Sequence, residues 1–203
     1  IILSIFAFIF FNSMNIFLLC SAVCMVCLFS CSHDNSTPQS KQNNKDTALD
    51  IFHYISTRGN YSVDIPKRFS DVQEDSSIIR IDDRLSARTF TSMTEIGNTA
   101  LIISAVHYPE ARFSLNTNDE LLEQTGKEFL RSLQARSIRY SPDGASGLDI
   151  YYTTQDSTTS YHGHTRLFAR RPTIYNSTII TTDSTLFFQK EIVHFFTSLR
   201  PLY

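Results

Sequence analysis

Three patterns of hydrophobic and polar residues follow one another along the chain. Residues 1–30 are almost wholly apolar, with Ser4, Asn12, Ser13, Asn15, Ser21 and Ser30 as the only polar positions, all uncharged. Residues 32–48 are Ser, Asn, Gln, Asp, Lys and Thr almost throughout; they have little to bury and read as a linker. From about Leu49 the composition is that of a globular domain. Tyr61, Val63 and Ile65 alternate with polar residues, the mark of a half-buried strand. Residues 51–55 precede it and Gly59-Asn60 supplies turn chemistry, so residues 51–65 are expected to form a β-hairpin ended by Pro66. Further strands are expected at 77–82, 86–93, 99–107, 148–154, 163–170 and 174–181, rich in β-branched and aromatic residues. Residues 100–106 are apolar on both faces apart from Ser104, which predicts a central, buried strand.

Two stretches change period from 2 to 3.6. Leu122, Phe129, Leu130 and Leu133 share one face of a helix expected over 119–136, capped by Thr117 or Asn118, with Asp119 and Glu120 in its first turn. Gly126 lies on that face, where the missing side chain permits close packing. Phe188, Ile192, Phe195, Phe196 and Leu199 form the stripe of a second helix expected over 185–199, capped by Asp183 or Ser184 and stopped by Pro201. The order strands, helix, strands, helix predicts an α+β fold, an antiparallel β-sheet with helices packed on its faces. No second linker interrupts residues 51–203, so they are read as a single domain, large enough for a stable core without disulfides.

Composition sharpens the picture at the leader. All 18 basic and 20 acidic residues follow Cys31, and all four cysteines (Cys20, Cys24, Cys27 and Cys31) lie at or before it. The apolar run is long enough to span a bilayer, so it reads as a cleaved signal, a retained transmembrane helix or, least well, a buried helix. It stops at Leu28-Phe29-Ser30-Cys31, which resembles the lipobox of bacterial lipoprotein signal peptides, with Leu at −3, a small residue at −1 and the cysteine that is lipidated. Phe29 departs from the small residue common at −2. The usual positive n-region is missing; a start at Met14 would give a hydrophobic core of about 15 residues, of signal length. The expectation is a signal peptide over 1–30, lipidation at Cys31, and a polar linker over 31–50. Ser32, in place of the Asp that retains enteric lipoproteins at the inner membrane, favours the outer membrane.

Tyr61-Ser62-Val63-Asp64-Ile65-Pro66, the helix near 119–136, Ser146-Gly147-Leu148-Asp149-Ile150-Tyr151-Tyr152 and the closing Phe195-Phe196-Thr197-Ser198-Leu199 resemble the opening, first long helix, following strand and terminal helix of PsbP-like domains. The resemblance covers about residues 51–203 and its motifs are short and structural. It implies an α/β/α sandwich used mainly for binding, and it transfers no functional residue, since fold alone does not give function.

Candidate chemistry is sparse. His162-Gly163-His164 puts two imidazoles on one side of a strand, a start for a metal site if His107, His53 or Asp156 supplies a third ligand; a polar turn is the plainer use. Asp143-Gly144-Ala145-Ser146-Gly147 has the look of a nucleophile elbow, but Pro142-Asp143-Gly144 is a turn signal in its own right. Arg166, Arg170 and Arg171, with Arg139, could bind phosphate or line a solvated face. Asp82-Asp83 reads as a turn before a Ca²⁺ site. Asn35, Asn60 and Asn176 begin N-x-[ST] sequons, which matter only in a eukaryotic secretory host. A formal charge of −2 with mixed signs gives no basic face for nucleic acid and no polybasic patch for anionic lipid. With no cofactor motif visible, the expectation is a non-enzymatic, membrane-tethered module that binds an envelope protein or a small ligand. The alternative is a metal-handling or hydrolytic envelope enzyme using His162 and His164.

Overall fold

The computed structural model of the chain describes residues 48–81, 85–114, 116–135, 137–143, 147–156 and 158–203. Cys31, Asn35, Asp82-Asp83, Gly144-Ala145-Ser146 and the side chain of Arg139 lie outside the described residues.

The domain is α+β, built on two antiparallel sheets. β1 (Ile51–Ser56), β2 (Tyr61–Pro66) and β10 (Arg200–Pro201) make a small sheet in the order β1-β2-β10. β3 (Gln73–Arg80), β4 (Ser86–Ile96), β5 (Thr99–His107), β6 (Ser137–Asp143), β7 (Gly147–Asp156), β8 (Thr159–Arg170) and β9 (Thr173–Thr181) make a larger one in the order β3-β4-β5-β9-β8-β7-β6. α1 (Glu110–Ser114) and α2 (Asn118–Ser132) follow β5, and α3 (Lys190–Ser198) leads into β10.

Two cores sit on opposite faces of the larger sheet. On one, Leu121, Leu122 and Leu130 of α2 close over Ile150, Leu167 and Ile174. Gly126 makes this approach possible, because a Cβ there would stand 2.8 Å from Ile150 Cδ1. Thr117 caps α2 in a capping box with Glu120, satisfying two orphan donors. The helix ends at Ser132, short of the expected 136: Gln134 adopts φ 51° and Ala135 N–H bonds back to Leu130 O. On the other face, Tyr61, Val63 and Ile65 of β2 and Ile192, Phe195 and Phe196 of α3 pack on Leu101, Ile103, Tyr175 and Ile179. Beside the α2 core, Ile102 of β5 and Ile180 of β9 pack with Tyr161 and Met93, so 99–105 is buried throughout, as a run apolar on both faces apart from Ser104 requires.

Three expectations are corrected. Residues 137–143, where no strand is expected and Pro142-Asp143-Gly144 reads as a turn, form the edge strand β6 paired with β7; an edge tolerates Pro142, which a central strand would not. β3 starts at Gln73 and not near 77, because its polar first half pairs with β4 at the exposed edge. The expected helix over 185–199 breaks at Gln189: Ser184–Phe188 is a 3-10 helix under an Asp183 cap, and only then does α3 begin. Three residues per turn take Phe188 out of the apolar stripe, so it is 80% exposed and Phe187 packs in its place.

Gly163 is tighter than Gly126. A Cβ on Gly163 would fall 2.1 Å from Tyr152 Cζ, inside a buried ring that has nowhere to withdraw. Gly163→Ala should cost about 3 kcal/mol of stability. In Gly126→Ala the helix gains about 1 kcal/mol of propensity, which offsets displacing the end of Ile150. Urea unfolding midpoints compare the two; equal effects would contradict this packing.

Candidate functional site

The register of β7 and β8 assembles the densest group of titratable and aromatic side chains. Asp149 lies opposite Arg166, and Tyr151 opposite His164, on the face covered by α3. Asp149 Oδ1 accepts from His164 Nε2 at 2.8 Å and from Arg166 Nε at 3.1 Å, while Oδ2 accepts from Arg166 Nη2 at 2.9 Å. A carboxylate only accepts, so His164 carries its hydrogen on Nε2. The imidazole stacks on Tyr151 at 4.1 Å between centroids, with Phe196 of α3 at 4.1 Å on another side and Phe187 at 5.9 Å. Burial would push the Asp149 carboxyl up, but the bonds from His164 and Arg166 and the guanidinium charge outweigh it, and its pKa lies below the usual range.

This is the arrangement of an oriented base, yet its geometry serves packing. The remaining His164 nitrogen, Nδ1, is buried and has no hydrogen-bond partner among the described residues. A general base must reach the proton it takes, and this one lies enclosed by aromatic rings. His162 shares the strand face and is half-buried. The other expected ligands are used elsewhere: His53 Nδ1 bonds Asp64 and His107 Nδ1 bonds Thr173 Oγ1 at 2.7 Å. Among the described residues no group of three or more His, Cys, Asp or Glu is placed to hold a metal ion. Two of the candidate arginines are held apart on different partners: Arg166 by Asp149, and Arg171 by Asn118 Oδ1 and Asn116 O, its guanidinium over Phe113. Asn60 occupies the hairpin turn at φ 58°, and Asn176 lies half-buried inside β9.

Two further clusters escaped the sequence reading. Asp64 accepts from His53 Nδ1 at 2.7 Å and from His194 Nε2 at 2.8 Å, one imidazole on each oxygen, which joins β1, β2 and α3. Burial opposes the charge on Asp64, the two imidazole bonds favour it, and its pKa is lowered on balance. At the end of β1 and β2, Tyr54 donates to Glu74 and Tyr61 donates to Ser92 Oγ at 2.5 Å. Burial pushes the Tyr61 hydroxyl up to about 12. Beside this network Arg58 and Phe90 flank a depression of about 140 Å³ that opens to solvent. That is well short of the roughly 300 Å³ at which small-molecule pockets begin.

No protein-family model matches the chain, and no curated protein does. A crystal structure of a Pseudomonas aeruginosa protein of unknown function is similar at 13% identity, over 67% of this chain and 85% of that one, with a TM-score of 0.30. A likeness that distant carries no argument about function.

The lowered carboxyls of Asp64 and Asp149, with those of Glu120 and Asp183, fix the sign of the acid limb. A carboxyl more acidic in the folded chain adds stability above its unfolded pKa of about 3.9, and that stability is lost as pH falls through the folded value. Unfolding free energy should therefore fall steeply below about pH 4, after a shallower fall below about pH 6.5 from His107, whose pKa burial and Arg88 lower. Asp149→Asn, which removes the negative charge and turns an NH₂ donor toward the Arg166 or His164 donors, should cost about 3 kcal/mol at neutral pH and make the acid limb shallower. A variant as stable as the parent by chemical denaturation would refute the role of Asp149.

Proposed function

We propose that the chain is a lipoprotein tethered to a bacterial membrane through lipid on Cys31, and that its α+β domain is a non-enzymatic binding module for another envelope protein or a small ligand. The observation that carries this reading is the outer edge of β1. No strand pairs with it among the described residues, and Ile51, Phe52 and Ile55 are 37%, 37% and 52% exposed there. An unpaired apolar edge is a docking surface that a monomer usually protects. It follows directly on the polar linker that leads from Cys31.

The finer fold belongs to the same proposal: a PsbP-like α/β/α sandwich, supported by α2 on one face of the larger sheet and α3 on the other. Outer-membrane placement, on a periplasmic or surface face, is favoured by Ser32. The metal or hydrolytic alternative at His162 and His164 is less well supported, since Asp149 already holds His164. Acyl chains contribute about 0.8 kcal/mol per buried CH₂, enough for durable attachment when several share one cysteine.

Two measurements test the proposal. Cys31→Ala should abolish incorporation of a fatty-acid analogue, and undiminished labelling would refute the anchor. Crosslinking in living cells followed by purification should recover a specific envelope partner. Recovery of none, with stoichiometric zinc or copper bound and lost in His164→Ala, would favour the metal reading instead.

A further inference from the structure

The hydrogen-bond parity of the small sheet shows which groups β1 offers. In an antiparallel pair, residues alternate between turning their N–H and C=O toward the partner and away from it. Lys67 N–H donates to Asp50 O at 2.9 Å, so 50 and 67 are a bonded pair. By register, 52 with 65, 54 with 63 and 56 with 61 are bonded pairs too. The opposite edge of β2 agrees. Asp64 N–H turns away from β1 to Ser198 Oγ at 2.9 Å, and Asn60 O accepts from Leu202 N–H at 3.1 Å. Ile51, His53 and Ile55 therefore direct their backbone donors and acceptors outward, along the free edge.

The sequence of that edge reads nearly the same in both directions. Ile51-Phe52-His53-Tyr54-Ile55 is apolar, aromatic, imidazole, aromatic, apolar about His53. Phe52 and Tyr54 point to one face of the strand; Ile51, His53 and Ile55 point to the other. The strand also lacks the usual edge defences. β3, an edge of the larger sheet, carries Glu74, Asp75 and Arg80, whereas β1 has no Lys, Arg, Asp, Glu, Pro or Gly.

We propose that the partner of this edge is a second copy of the same chain, joined β1 to β1 in antiparallel register about a two-fold axis at His53. In that register 51 faces 55, 53 faces 53 and 55 faces 51 of the other copy, and each of these pairs exchanges both N–H···O bonds. Ile meets Ile at both ends on one face, and Phe52 meets Tyr54 on the other. A shift of two residues keeps only two of the three pairs within the strand. A shift of one residue sets outward groups against inward ones. At the axis each imidazole keeps its hydrogen bond to Asp64 of its own chain. The product is one continuous antiparallel sheet in the order β10-β2-β1-β1-β2-β10.

This inference rests on the binding-module reading and names its partner, so the test is designed to separate the two. Full-length protein in mild detergent is weighed by sedimentation across a wide concentration range. A mass of two copies is expected. Ile55→Pro removes an outward N–H and no bond to β2, and should weaken self-association about thirtyfold, for two lost interchain bonds of ordinary strength. His53→Cys should give a disulfide-linked dimer, since bonded-pair Cα atoms lie about 5.5 Å apart, while Ser62→Cys, on the neighbouring strand, should give none. The cysteine pair decides the matter even if Ile55→Pro does not fold. A mass of one copy throughout, or a dimer that links equally through Cys at 53 and 62, overturns the inference. A single copy crosslinked through β1 to a different polypeptide also overturns it, but leaves the binding-module reading standing.

Discussion

The structure depends on β5 and β9 being buried on both faces. A strand such as 99–107, apolar on each side, cannot sit in a sheet with one wet surface. On one face α2, held close by Gly126, closes over β7, β8 and Ile174 of β9, and Ile102 of β5 and Ile180 of β9 pack with Tyr161 and Met93. The other has no single element large enough, and it is closed jointly by β2 and α3. Ser198 makes the joint: its hydroxyl accepts Asp64 N–H and donates to Phe195 O, so the end of a helix satisfies the edge of a strand where β10 stops. With that edge of β2 occupied, β1 must lie on the other. The exposed apolar strand is thus a consequence of how the core is covered.

The same constraint explains the use of the charged groups. Asp149 lies under α3, where an unpaired charge would be costly, and it is held by Arg166 directly opposite and by His164 two positions away across the ladder. Asp64 performs the equivalent task nearer the surface, holding His53 and His194 across three elements. The result resembles catalytic chemistry in its parts and differs in access, because the aromatic rings of Tyr151, Phe187 and Phe196 surround the imidazole.

Much of this was legible in local sequence and some of it could not be. The hairpin, a cap at Thr117 or Asn118, the close approach at Gly126 and the buried run at 100–105 each follow from residues a few positions apart. Asp149 and Tyr151 alternate with Ile150 and Tyr152, which marks their strand face, but which residues stand opposite depends on the register of β8, a long-range property. His164 was noticed for its spacing to His162; only the register shows that its neighbour is Asp149. Phe188 was misjudged because one break at Gln189 changes the turn from 3.6 to 3 residues, and periodicity summed across the break hides it. The outward edge of β1 needed the Asp50–Lys67 and Asp64–Ser198 bonds, and no local pattern reports these.

Among the described residues β1 presents a free backbone edge, which an assembled protein covers. Residue-resolved amide hydrogen exchange, measured dilute and concentrated, tests this directly. Phe52, Tyr54 and Ser56 should be protected under both conditions, because they bond to β2. Ile51, His53 and Ile55 should exchange quickly when dilute and become protected when concentrated. Protection of all six that does not change with concentration, or lasting exposure of the outward three, would contradict it.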